Sequence, residues 1–103
     1  MQIVATQHND KACIFIDGVV DEKGAEQLKQ KISQLPLASL REVEIDCGKV
    51  KHIGSSGIGK LLLLYKQLAS HGGNMKLINL SGPLFELFTE LKMDTLFTIT
   101  RQN

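Results

Sequence analysis

Hydrophobic residues recur with two different periods along the chain, and segments of one period follow segments of the other. Apolar Val43, Ile45 and Cys47 are separated by single acidic residues, which is the period of a strand with one buried face. The other segments of strand-like composition are residues 1–6, 12–16, 75–80 and 96–100. The pattern therefore predicts four to five strands.

A helical period begins after Asp21. Aspartate is favoured at a helix N-cap because its carboxylate accepts a hydrogen bond from a backbone N–H of the first turn. The apolar residues that follow fall at i, i+3, i+7 and i+10, and they are Ala25, Leu28, Ile32 and Leu35. Pro36 cannot continue a helix, so it marks the end of this first predicted helix.

A second helix is predicted downstream of residue 54, and its apolar face is Ile58, Leu61, Leu62, Tyr65, Leu68 and Ala69. Leu64 lies at the margin of this face. Leu63 points away from it, so we expect an exposed leucine one turn or more beyond the helix start. A single exposed leucine is ordinary in proteins, and here it is also a candidate docking contact. Residues 71–74 (HGGN) end the helix.

A third helix is predicted after residues 81–83 (SGP), where a capping serine precedes a proline suited to the first turn. Its apolar face is Leu84, Leu87, Phe88 and Leu91. Phe85 lies off that face and is a weaker candidate for an exposed contact.

The alternation of strands and helices runs from end to end without a linker, a repeat or a low-complexity segment. We therefore expect an α/β fold in which a single mixed β-sheet of four to five strands carries the helices, built by residues 1–103 as one domain. The formal net charge is +1, with 12 basic and 11 acidic residues, which argues against a nucleic-acid surface. No segment resembles a signal peptide or a membrane span, so a cytoplasmic location without membrane insertion is expected.

The thiols and imidazoles form no recognisable ligand spacing. Cys13 and Cys47 are predicted to be buried, reduced residues within strands. The three histidines, His8, His52 and His71, are predicted in loops, and no metal site is expected.

Residues 54–60 (GSSGIGK) form a small, hydroxyl-bearing turn that leads into the second helix. Backbone N–H groups at a helix N-terminus favour negative charge, so such a turn suits either a nucleotide phosphate or a phosphorylated serine. Gly54, Gly59 and Lys60 match most of a Walker A loop, but Leu61 replaces the magnesium-binding Ser or Thr. A small nucleotide-binding protein remains an alternative. No histidine and acidic partner follow the serines in a catalytic order, so no enzyme activity is predicted.

Ser55-Ser56-Gly57-Ile58-Gly59 resembles the S-[ST]-G-[LI]-G signature of STAS domains, the group typified by bacterial anti-sigma-factor antagonists. The features around it resemble the family in the same order: residues 16–21 (IDGVVD), residues 25–32 (AEQLKQKI), residues 43–46 (VEID) and residues 65–68 (YKQL). One position departs from the family, which usually has Asp where Gly54 stands.

The resemblance implies a non-enzymatic regulator without a cofactor that exchanges partners when a loop serine is phosphorylated. The implied partners are a serine kinase that doubles as an anti-sigma factor and a metal-dependent serine phosphatase. The modified residue would be Ser55, while Ser56 could cap the helix. The alternative is that the two serines exchange these roles and Ser56 is modified. The implied partner-binding residues are Asp21, Gly54, Ser56, Gly57, Gly59, Lys60 and Leu63. Because Gly54 replaces Asp, a STAS scaffold subunit of a signalling or transport complex that is never phosphorylated is a further alternative.

Lysines flank the same turn at Lys49, Lys51 and Lys60. Surface solvation accounts for such residues in most proteins, and pairing with a phosphate is the functional interpretation.

Overall fold

One five-stranded mixed sheet forms the centre of the computed structural model, which describes all 103 residues. Its strands are β1 (Gln2–His8), β2 (Lys11–Val20), β3 (Glu42–Ile53), β4 (Asn74–Leu80) and β5 (Thr98–Arg101). Strand order follows chain order; β1 pairs antiparallel with β2, and the other pairs are parallel. The predicted mixed sheet is therefore confirmed.

Three helices connect the parallel strands, namely α1 (Glu22–Ser33), α2 (Ser55–Ser70) and α3 (Gly82–Glu90). Two 3₁₀ turns, Leu37–Ser39 and Met93–Thr95, complete the connections. The strands from β2 to β5 advance across the sheet in one direction. Because crossovers between parallel strands are right-handed, all three helices are placed on the same face of the sheet.

The core lies between that face and the helices. In β3 the buried residues alternate as Val43, Ile45 and Cys47, and their partners Ile14 and Leu77 on the neighbouring strands are buried with them. The other face of the sheet is not covered by a helix. This arrangement corrects one prediction, since Cys13 lies on the open face and is exposed, whereas Cys47 is buried as predicted.

An ion network lies at one end of the open face. The ammonium group of Lys11 is 2.9 Å from Glu44 and 3.2 Å from Glu42, and that of Lys76 is 3.1 Å from Glu42. Hydrogen bonds from Lys76 and then Lys11 hold the pKa of Glu42 below its ordinary value. The same carboxylates, Glu44 first, raise the pKa of Lys11.

The first helix is shorter than predicted. Asp21 is its N-cap, as predicted, and accepts a hydrogen bond from the N–H of Gly24 at 2.8 Å. The helix ends at Ser33, so Leu35 lies beyond it and that prediction is wrong. The physical reason is Pro36, because a residue that precedes proline is disfavoured in the helical conformation.

The predicted faces of the other two helices are partly wrong. On α2, Leu64 is fully buried and Ala69 is exposed. The buried arc is rotated toward Leu64 because α1 packs beside α2 and covers that flank. On α3, Leu91 is exposed because the helix ends one residue earlier, at Glu90.

The histidine positions also differ from prediction. His8 and His52 belong to strands β1 and β3, and His71 is the C-cap of α2. All three are exposed. No cluster of three or more His, Cys, Asp or Glu side chains could hold a metal ion.

Candidate functional site

The ends of β2 and β3 bring two predicted site segments together. Val20 pairs with Ile53 in the last register position of the two strands, and the N–H of Gly54 donates to the carbonyl of Val20 at 2.9 Å. Asp21 follows Val20 directly, and Ser55 follows Gly54. Asp21 therefore lies beside the start of α2, although its carboxylate is occupied in capping α1.

Helix α2 begins with an N-terminus that no side chain caps. Gly54 is the N-cap, and Ser55 and Ser56 are the first two helical residues, so Ser56 does not cap the helix. The first turn contains no acidic residue. The N–H groups of a first turn have no partner within the helix and carry partial positive charge. This end of α2 is therefore suited to an anionic group.

The two serines differ in exposure, with Ser55 exposed and Ser56 half-buried. A kinase must take its substrate hydroxyl into an active site, so the exposed serine is the more accessible of the two. This difference agrees with the prediction that Ser55 is modified, but it does not test it.

The backbone of Gly54 does not require glycine. Its φ of −87° and ψ of 176° are open to any residue. A Cβ atom there would meet only the carbonyl oxygen of Val20, at 3.7 Å. An aspartate would therefore fit at this position, and the departure from the family pattern changes charge and capping rather than backbone shape.

Gly57 seats the first turn of α2 on the sheet. A Cβ atom at Gly57 would lie 2.7 Å from Cγ1 of Val20 and 2.8 Å from Cγ1 of Ile53. At Gly59, on the solvent side, the same atom would meet nothing within 4 Å. The absence of a side chain at Gly57 thus permits the close approach that fixes Ser55 relative to Asp21.

Leu63 and Lys60 lie on the flank of α2 that faces α1. Leu63 is 47% exposed, as predicted, and Lys60 is half-buried. At about 100° per residue, Leu63 is about 20° from Ser56 and about 80° from Ser55 around the helix axis. Lys60 is about 40° from Ser56 but about 140° from Ser55, so it is less well placed to reach a group on Ser55. Lys49 and Lys51 are exposed residues of β3.

One exposed apolar residue near this site was not predicted. Val19 is 42% exposed at the end of β2, two residues before Asp21. Strand alternation shows that only one of the adjacent residues Val19 and Val20 can face the core. It does not show which one, because the register shift between Gly18 and Val19 interrupts the alternation and cannot be read from the sequence.

The nucleotide alternative has no matching geometry. In a Walker A loop the residues between the glycine and the lysine wrap around the phosphates before the helix starts. Here the helix α2 already begins at Ser55, so residues 54–60 form no such cradle. Separately, no helix combines the length and apolar character that crossing a bilayer requires.

A family model and a curated relative each match most of this chain. The family model described as "Mlab, STAS domain" matches residues 4–99. BtrV of Bordetella bronchiseptica, provisionally named an anti-sigma factor antagonist, is 34% identical over 77 residues. The match covers 75% of this chain and 65% of BtrV, so this chain spans slightly less than two thirds of that relative.

Solved structures share the fold. SpoIIAA, a Bacillus cell fate determinant and anti-sigma factor antagonist, superposes in its unphosphorylated form with a TM-score of 0.78 at 18% identity, over 99% of this chain and 89% of SpoIIAA. A Thermotoga maritima protein, also provisionally named an anti-sigma factor antagonist, gives 0.86 at 15% identity, over 97% of this chain and 86% of that one. At these identities the likeness shows the shared architecture of sheet and helices.

Proposed function

The chain belongs to the STAS domain family, and from that premise we propose that it is a non-enzymatic partner-switching regulator controlled by phosphorylation of Ser55. The unphosphorylated domain binds a serine kinase of the anti-sigma-factor type, and a metal-dependent serine phosphatase restores binding after phosphorylation. The observation that supports this proposal most is the exposed Ser55 at the uncapped N-terminus of α2. BtrV and SpoIIAA, both named as anti-sigma factor antagonists, support the choice of partner class.

Phosphorylation changes this surface in one step. A phosphoserine carries about −1.5 to −2 charges at pH 7. The N-terminus of α2 stabilises that charge within the domain, because the first-turn N–H groups point toward it. A partner that covers Ser55 together with apolar Leu63 would have to desolvate the same charge on binding. The modification therefore weakens the complex without unfolding the domain.

Capture from a native-host lysate tests the proposal. We expect the wild type and Ser55→Ala to retain a serine kinase, and Ser55→Asp to lose it. Phosphopeptide mapping after incubation with that kinase and ATP should place the phosphate on Ser55, with Ser56→Ala still modified. Equal capture by all three proteins, with no phosphate on either serine, would instead support the constitutive scaffold.

The contribution of Leu63 to docking can be separated from folding. Leu63→Ala should change the free energy of unfolding by no more than about 0.5 kcal/mol, since the side chain is half in water. It should weaken kinase binding by about 1–2 kcal/mol if the leucine is a direct contact. Leu64→Ala is the matched control; its side chain is fully buried, and the change should cost about 2–5 kcal/mol of stability. Unchanged binding with Leu63→Ala would place the docking surface elsewhere.

The role of Gly54 has a similar test. Gly54→Asp should leave the fold intact, because the space at this position accepts a side chain. It adds a negative charge beside Ser55, so the rate of phosphorylation by the kinase should change. An unchanged rate would show that the charge at this position has no part in kinase recognition.

A further inference from the structure

A cavity of about 340 Å³ opens between α1 and α2. Its apolar lining consists of the buried side chains of Ile32 and Leu64 and the more exposed side chains of Leu35, Leu37 and Leu63. Its volume falls within the range of small-molecule sites, which are about 300–1,000 Å³ and mostly apolar. Most of the exposed lining is apolar, so an apolar group that displaced water from it would bind favourably.

Two basic side chains belong to the lining of the cavity. Lys29 of α1 and Lys60 of α2 both line it, together with the polar side chains of Ser33 and Gln67. Neither lysine belongs to any of the ion pairs of the protein, and no carboxylate lines the cavity. Lysine side chains lie along apolar surface with their stems and keep the ammonium group at the edge. Two helices thus each bring an unpaired cation to one apolar cavity.

We propose that this cavity binds a small amphiphilic carboxylate, with the apolar chain between α1 and α2 and the carboxylate between Lys29 and Lys60. At about 30 Å³ for each water-sized group, the volume accommodates about eleven heavy atoms. An unbranched acid of about eight carbons has that size. The anionic head would gain charge-assisted hydrogen bonds that the free protein leaves unmade.

The ligand site is separate from the phosphorylation site but shares a border with the proposed docking surface. Lys60 and Leu63 belong to both, so a bound carboxylate would compete with a kinase that docks on Leu63. This consequence rests on the proposed function, whereas the binding itself does not. The test therefore uses the full chain alone, without kinase or phosphatase.

The site can be tested by titrating the isotope-labelled protein with octanoate and measuring the amide chemical shifts at each concentration. We expect saturable shifts confined to α1, α2 and the residues around Leu37. Octanol and octyltrimethylammonium should each bind at least about tenfold more weakly, because they lack the negative charge. Shifts that do not saturate, or that spread over the open face of the sheet, would overturn the proposal.

Variants of the lysines give the sharper comparison. Lys29→Met and Lys60→Met keep an apolar stem and remove the charge, so each should weaken octanoate binding by about tenfold. Lys66→Met is the matched control, because Lys66 is an exposed residue of α2 that does not line the cavity. Equal affinity of the wild type, Lys29→Met and Lys60→Met would overturn the assignment.

Discussion

Adding one methyl group at Gly57 tests whether the start of α2 is held tightly against the sheet. The new carbon would lie 2.7 Å from Val20 and 2.8 Å from Ile53, well inside van der Waals contact. Both neighbours are β-branched, so their γ carbons cannot move away without leaving a preferred χ1 rotamer. Gly59→Ala adds the same methyl group on the same helix where nothing lies within 4 Å, and it is the matched control.

The two variants separate helix propensity from packing. Replacing a helical glycine by alanine stabilises a protein by about 0.5–1 kcal/mol, and this gain applies to both variants. Overpacking costs about 1–3 kcal/mol and applies only to Gly57→Ala. We therefore expect Gly59→Ala to be slightly more stable than the wild type, and Gly57→Ala to be about 1–3 kcal/mol less stable than Gly59→Ala.

Urea unfolding at fixed pH and temperature measures both changes, provided that the dependence on denaturant is the same for all three proteins. Free energies of unfolding for Gly57→Ala and Gly59→Ala that agree within about 0.5 kcal/mol would refute the reasoning. The first turn of α2 would then have room to move, and Gly57 would not fix the position of Ser55.

Three further predictions concern the cap, the thiols and the ion network. Asp21→Ala should lower the free energy of unfolding by about 0.5–2 kcal/mol, because it removes the cap of α1. Asp21→Asn should lose much less stability, since asparagine also caps helices; equal losses for both variants would contradict this. Iodoacetamide should label exposed Cys13 in the native protein but not Cys47, because burial raises the pKa of the Cys47 thiol to about 12; denaturant should expose both. Because Lys76 and then Lys11 lower the pKa of Glu42 from 4.5, their stabilisation is complete above that pH and is lost as the pH falls through the folded value. The free energy of unfolding, measured with urea at several pH values, should therefore fall less steeply with falling pH in Glu42→Gln than in the wild type, by under about 1 kcal/mol in total, and parallel curves would refute it.

Local patterns predicted most of the elements and part of the site. The position of Asp21 as a cap and the exposure of Leu63 follow from helix geometry alone, because both depend on neighbours within one or two turns. The alternation in β3 predicted the burial of Cys47 for the same reason. The STAS resemblance added the interpretation of residues 54–60 as a turn with a phosphorylated serine, which periodicity alone could not supply.

The errors arise where tertiary contacts decide. Cys13 is exposed because the crossovers place every helix on one face of the sheet, which no single strand reveals. Leu64 is buried because α1 covers its flank of α2. The need for glycine at position 57 depends on how closely Val20 and Ile53 approach the helix start, and these residues are distant from one another in the chain.

The dissociation constant of the captured kinase for this domain, before and after phosphorylation of Ser55, measures the switch itself. We expect the phosphorylated domain to bind at least about tenfold more weakly, and treatment with a serine phosphatase to restore the original affinity in the same sample. Ser55→Ala should bind tightly whether or not it is incubated with kinase and ATP. Equal affinity of the phosphorylated and unphosphorylated domains would contradict control of partner binding by Ser55.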